Sequence, residues 1–134
     1  MIQKNTVLAV VDNSGAQRAR CIHVYGGYRK RYANIGDLIL VSLISVRKKE
    51  TSYNQKKQGK QELTKGMVCK GVVVRTKTGL SFKNGKKISF KQHGIVLLNN
   101  KNKYHATRVF GVIPHSLRYT KFLRLTTMAS AVVR

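Results

Sequence analysis

The run LILVSLISV, residues 38 to 46, constrains the fold most. It carries no charge and is rich in β-branched and aliphatic residues, too apolar for a strand with one face in water. It reads as a core strand, and its neighbours read as strands as well. Thr6 to Val11 is apolar and β-branched, and DNSG then breaks it, because Asp12, Asn13 and Ser14 bond their own backbone and Gly15 accepts a positive φ. Ala19, Cys21 and Tyr25 alternate with Arg18, Arg20 and His23, so a second strand follows and the first two form a hairpin. MVCKGVVVRTK and GIVLLNN are further strands, and ATRVFGVI is a short extended piece. In LSFKNGKKISF, Asn84-Gly85 between alternating segments is the strongest hairpin signal in the chain. Many short strands separated by turn chemistry predict a small barrel or sandwich.

The end of the chain reads differently. Pro114 suits the first turn of a helix carrying Leu117 and Arg118. Thr120 suits the N-cap of a second helix over KFLRLTTMASAVV, whose Phe122, Leu125 and Met128 or Ala129 fall near helical spacing. Residues 47 to 66 hold seven of the 27 basic residues and two of the four acids, Glu50 and Glu62, with almost no aliphatics. This stretch reads as an exposed, extended basic loop. At 134 residues, the chain is one domain, 1–134, with that loop inserted and a helical segment at 114–134.

The charge bears on function. There are 27 Lys and Arg against four Asp and Glu, a net charge of +23. Such a single-sign field repels itself, so the chain is expected to live neutralised by a polyanion, with nucleic acid ahead of an anionic membrane. No apolar run is long enough to span a bilayer, and MIQKNTVLAVVDNSGA has neither a signal-peptide layout nor an Arg- and Ser-rich transit composition. Cys21 and Cys69 lie in apolar runs with no CxxC and read as buried, reduced thiols.

Catalytic patterns are weak. Asp12 and Asp37 read as turn residues, and His23, His93, His105 and His115 make no HxH, HxxxH or HExxH pattern, so neither a catalytic site nor a metal site is expected. No cofactor is expected: GLSFKNGKK has the wrong glycine spacing for a P-loop and Lys87 where Ser or Thr should stand. GGYRKRY, residues 26 to 32, joins two strands and lacks GxGxxG. Its phosphate is therefore expected to be a backbone phosphate. Gly26 and Gly27 would allow close approach, Arg29, Lys30 and Arg31 would supply charge, and Tyr28 and Tyr32 would stack on a base or bond a phosphate. Arg18, Arg20, Lys77, Lys83, Lys86, Lys87, Lys101 and Lys103 crowd other turns. Many basic loop tips suit folded RNA better than a uniform duplex groove.

MIQKNTVLAVVDNSGAQRARCIHVYGG, the basic residues and IGD after it, KGMVCKGVVVRTK, VLLNN, TRVFG and LRYTKFLRLTTMA together resemble, in order and over nearly the whole chain, the universal large-subunit ribosomal protein L-fourteen family. The resemblance implies a mainly β fold: a five-stranded β-barrel with a protruding hairpin and short C-terminal helices. It implies a non-catalytic protein that binds large-subunit rRNA on the face meeting the small subunit. It also implies a bridge to small-subunit rRNA, neighbours from large-subunit protein families three and nineteen, and a C-terminal region offered to a ribosome-silencing factor. Carried onto this chain, the RNA-facing residues are Arg18, Tyr28 to Tyr32, Lys65, Arg75 and Lys77. The protein-facing ones are Thr107, Arg108, Arg118, Lys121 and Phe122. Departures from the family pattern are Ser81 to Asn84 before the hairpin glycine, Lys91, Ala106 and Ser116, with basic contacts redistributed to Lys83, Lys86 and Lys87. Acid loss and the long 47–66 loop point to an organellar ribosome, mitochondrial ahead of plastid or bacterial, and the missing presequence to synthesis inside the organelle. A general nucleic-acid-compacting protein is the alternative, and an RNA-processing enzyme using His and Lys is a third.

Overall fold

A computed structural model describes residues 1–47 and 62–134. Five strands close into a barrel in the order β1 (Val7–Val10), β2 (Ala16–Val24), β3 (Leu38–Val46), β4 (Val68–Arg75) and β7 (Gly94–Leu98). Consecutive pairs are antiparallel. The seam between β1 and β7 is parallel and short, with Ala9 opposite Gly94 and Val10 opposite Ile95. Two short strands, β5 (Leu80–Ser81) and β6 (Lys87–Ile88), form the hairpin. β8 (Val109–Pro114) leads through a 3-10 turn at His115–Tyr119 to α1 (Arg124–Met128) and β9 (Ala129–Val133).

Two cores explain the strand patterns. The barrel interior packs Leu8, Ala19, Cys21, Ile39, Val41, Leu43, Val73, Ile95 and Leu97, with Ile2 and Ala33 joined to it. The second core lies on the outer face of β4 and β7, where Val72, Val74, Val96 and Leu98 meet Val109, Ile113, Leu117 and Leu125 of the C-terminal segment. β7 is therefore buried on both faces, as its unbroken apolar run requires. β3 buries Ile39, Val41 and Leu43 inward, while its outward residues are half-buried. On β2, a register shift between Cys21 and His23 carries the inward phase from Cys21 to Val24. Tyr25, expected to continue the alternation, falls beyond the strand and is half-buried.

Both cysteines are buried and reduced. Each pairs with Val41, from opposite sides, so they stand two strand spacings apart. That is about 9–10 Å, too far for a disulfide. Asn84-Gly85 makes the expected hairpin by a route of its own. Gly85 alone has positive φ, Phe82 accepts from the Gly85 amide, and the Asn84 side chain accepts from the Lys86 amide. A two-residue type I′ turn would need Asn84 left-handed as well. Any Cβ on Gly79 at the hairpin base would run into the Ile88 carbonyl oxygen.

The C-terminal helical segment is shorter than expected. Pro114 ends β8 and stands at the N-cap of the 3-10 turn, outside its first turn. The Thr120 hydroxyl accepts from the Phe122 amide, a local cap, but α1 spans only Arg124–Met128. Ala129–Val133 is a strand, parallel to β8. A strand laid on β8 gains backbone bonds that a helix ending in Val132 and Val133 would forgo, and β-branched residues favour it. The expectation of an extended loop over 47–66 falls mostly on residues 48 to 61, outside the described residues. Among the described residues, no helix is long and apolar enough to cross a membrane.

Asp12 joins the elements around the seam. It is 4% exposed. One carboxylate oxygen accepts from the Leu97 amide at 2.8 Å and the other from the Ser14 amide at 2.9 Å. Burial raises its pKa above the ordinary value, against the lowering effect of these bonds and of His105. In Asp12→Asn, one of the two amides faces an NH₂ group in place of an acceptor. A loss of about 1–3 kcal/mol is expected, measurable as a lower urea midpoint, and an unchanged midpoint would show that the carboxylate is dispensable.

Candidate nucleic-acid interface

The loop between β2 and β3 is pinned at both ends. The Tyr25 amide donates to Leu38 O at 3.2 Å, and Ile2 and Ala33 exchange backbone bonds of 3.2 and 2.8 Å. Lys30 Nζ lies 2.8 Å from Asp37 Oδ1. Asp37 Oδ2 accepts from the Asn34 amide at 2.7 Å. Gly26 has φ 124°, and a Cβ there would come within 2.7 Å of Lys30 Cδ. The space that Gly26 keeps open is therefore filled by the Lys30 stem rather than left for a ligand. Gly27, with φ 115°, has open space in front of it.

What the loop presents is Tyr28, Arg29, Arg31 and Tyr32, all exposed. Tyr28 is 91% exposed. Arg29 Nε donates to its phenol oxygen at 2.8 Å, with the guanidinium carbon 5.4 Å from the ring centroid. An aromatic face and a forked donor are thus held together in water, suited to a base and a phosphate respectively. Arg31 adds a second forked donor. Lys30, paired with Asp37, holds the loop's shape.

The other basic candidates occupy several surfaces. Arg18 and Arg20 project from the outer face of β2, opposite Ala9 and Val7 of β1. Lys65 is exposed before β4 and Lys77 after it. Lys83, Lys86 and Lys87 are exposed on the hairpin. Arg75 differs from all of these. Its guanidinium is half-buried, donates to the carbonyls of Phe110 and Val112 (the latter at 2.7 Å), and lies 6.0 Å from the Phe90 ring centroid. Burial lowers its pKa. It clamps β4 to β8, and a Cβ on Gly111 would collide with it. Its intended role as an RNA contact competes with this structural one.

The protein-facing candidates gather around the C-terminal segment. Asn13 Oδ1 accepts from the amides of Thr107 and Arg108 at 3.0 and 3.2 Å, and Asn13 Nδ2 donates to Thr107 Oγ1 at 3.0 Å. Arg118 and Lys121 are exposed, whereas Phe122 packs on the outer core. Beside them stand Phe110, Tyr119 and Leu123, at 56%, 82% and 50% exposure. Sequence reasoning passed over these three exposed apolar residues, and over Asn13 as the tether of Thr107 and Arg108. The signal for Phe110 was its alternation with the inward Val109.

Residues 1–133 match the family of ribosomal protein L14p/L23e. The chain belongs to this family. It is therefore a structural protein of the large ribosomal subunit, associated with ribosomal RNA, and the resemblance over the whole chain holds. L14p/L23e membership also gives the +23 charge its setting, since a ribosomal particle supplies the polyanion that the chain lacks.

Two histidines make the free fold sensitive to acid. His105 is held below its ordinary pKa by burial, against the raising effect of Asp12. His93 is held below it by burial, then by the Met1 amino group and Lys77. A base with a depressed folded pKa stabilises the fold fully above its unfolded value of 6.5, and this contribution is lost as pH falls through the folded value. Asp12, with its raised pKa, acts oppositely, its contribution being present below the unfolded value of 3.8 and lost as pH rises through the folded value. The urea midpoint of the free chain is expected to drop as pH falls below 6.5, and His93→Asn with His105→Asn to flatten the slope; the same slope in the double variant would contradict this.

Proposed function

We propose that the chain is a non-catalytic rRNA-binding subunit placed on the face of the large subunit that meets the small subunit. Its rRNA contacts are Tyr28, Arg29, Arg31 and Tyr32 on the pinned loop, Arg18 and Arg20 on β2, Lys65 and Lys77 at the ends of β4, and Lys83, Lys86 and Lys87 on the hairpin. Lys30 supports the loop from within, and Arg75 acts chiefly by holding β8. Thr107, Arg108, Arg118, Lys121 and Phe122, next to exposed Phe110, Tyr119 and Leu123, form the protein-facing side. That side meets neighbours from families three and nineteen, contributes to the bridge to small-subunit rRNA, and is where a silencing factor would dock. The particle is a mitochondrial ribosome.

The fate of the acids carries the proposal. Of the three acids among the described residues, Asp12 is buried, Asp37 is paired with Lys30, and Glu62 is exposed. A surface so depleted of negative charge has few partners of its own and needs a polyanion against many faces at once. Folded RNA offers that, whereas a duplex offers one groove repeat.

Binding driven by counterion release must weaken steeply with salt. If about 6–10 phosphates are neutralised, affinity of the isolated chain for rRNA is expected to fall about 10³–10⁵-fold between roughly 50 and 200 mM salt. Arg29→Ala with Arg31→Ala should reduce incorporation into large subunits in reconstituted or cellular particles. Normal assembly of the double variant would remove the loop from the interface. Equal affinity for rRNA and for unrelated DNA would favour a general compacting protein.

A further inference from the structure

The barrel seam brings Arg18 and Lys77 together with two residues outside the RNA-facing set, Gln92 and His93. Over the outer face of β1 lies a shallow depression lined by Val7, Ala9, Arg18, Lys77, Gln92 and His93, among others. Topology brings these groups together. Ala9 is paired on one side with Arg18 of β2 and on the other with Gly94 of β7. The Ala9 amide also donates to the His93 carbonyl at 3.0 Å. Lys77, just past the end of β4, reaches the same place, its amide donating to His93 Nδ1 at 3.4 Å. Strands stand about 4.8 Å apart, so Arg18 and Gly94, the chain neighbour of His93, flank a single residue whose side chain is one methyl group.

We propose that this depression is a seat for a single phosphate of an RNA strand, held by Arg18, Lys77, Gln92 and His93 over Ala9. The proposal rests on the RNA-binding reading above and names one point of contact within it. The chemistry of the lining is that of an anion site. Arg18 offers a forked donor, Lys77 an ammonium and Gln92 an amide donor, and no carboxylate lines the depression. Because Nδ1 of His93 accepts from the Lys77 amide, the neutral ring carries its proton on Nε2 and remains a donor. The positive field is already registered at His93, whose pKa is lowered by burial and then by the Met1 amino group and Lys77. Val7, 48% exposed at the same place, offers an apolar surface to the adjoining ribose. The depression is open to solvent, so a phosphodiester in a continuous strand can lie across it.

An anion in the seat favours the imidazolium, so His93 is the reporter. The full chain, labelled at its histidines, is titrated by NMR alone, with inorganic phosphate, and with an oligouridylate of about 12 nucleotides, all at one ionic strength. The oligouridylate is expected to raise the His93 pKa from below 6.5 to that value or beyond, and inorganic phosphate at equal phosphate concentration to raise it less. Arg18→Gln with Lys77→Gln should abolish the shift, weaken oligouridylate binding about tenfold and reduce its salt slope by about 1 to 2. A His93 pKa unmoved by bound RNA, with affinity and slope unchanged in the variants, would overturn the seat and leave the RNA reading standing. An equal shift from inorganic phosphate would overturn the RNA backbone as the ligand in favour of a free anion. Failure of the unaltered chain to bind the oligouridylate at all would strike the RNA reading itself.

Discussion

The barrel depends on a carboxylate in the wrong place for a soluble surface. β1 and β7 meet through only two residue pairs before β1 ends, and the Leu97 amide then has no strand partner on its β1 side. Asp12 supplies the acceptor from within the turn that follows β1, while its second oxygen holds the Ser14 amide and shapes that turn. The flanking bonds extend the junction: Phe110 donates to Val11 O at 2.7 Å and Asn13 to Arg108 O at 3.2 Å, bringing β8 against the seam. Three parts of the molecule thus meet at one buried acid: the closing strands, the turn, and the segment that carries Thr107 and Arg108. An unsatisfied amide in that setting would cost as much as several surface ion pairs contribute together.

The same economy of acids organises the outside. Asp37 is used to fold the Gly26–Tyr32 loop onto Lys30 and Asn34, and Asp12 to close the barrel. Of the three described acids, Asp12 serves the interior and Asp37 the loop base, while Glu62 stands at the surface among the exposed basic residues. A polyanion then acts in two ways, removing the self-repulsion of a +23 chain and engaging its forked donors. The second core lets the C-terminal segment cover the outer face of β4 and β7, while Arg18 and Arg20 stand exposed on β2.

Much of this was legible in the residues, and the misses have physical causes. Short β-branched runs marked the barrel strands, because each must bury at least one face. Asn84-Gly85 marked the hairpin, though its turn geometry depends on which residue turns left-handed, and composition does not encode that. The stretch 129–133 continued a plausible helical spacing from Phe122 and Leu125, and only its distant partner β8 decides that it is a strand. Arg75 looks like any other basic residue at a strand end until β8 places two carbonyls against it. The pairing of Lys30 with Asp37 is hidden for the same reason, since in the sequence Asp37 reads only as a turn residue. His93 made no motif because its neighbours Arg18, on β2, and Lys77, past the end of β4, are distant from it in sequence.

The most direct test of the central claim is sedimentation of a native extract through gradients at moderate and high salt, with fractions probed for this chain. Contacts made only by exposed charge are heavily screened at about 0.5 M. A protein built into folded rRNA stays in the large-subunit peak through that salt, and this is the expected result. Recovery at the top of the gradient, or spread across all nucleic acid, would contradict a structural role in the large subunit.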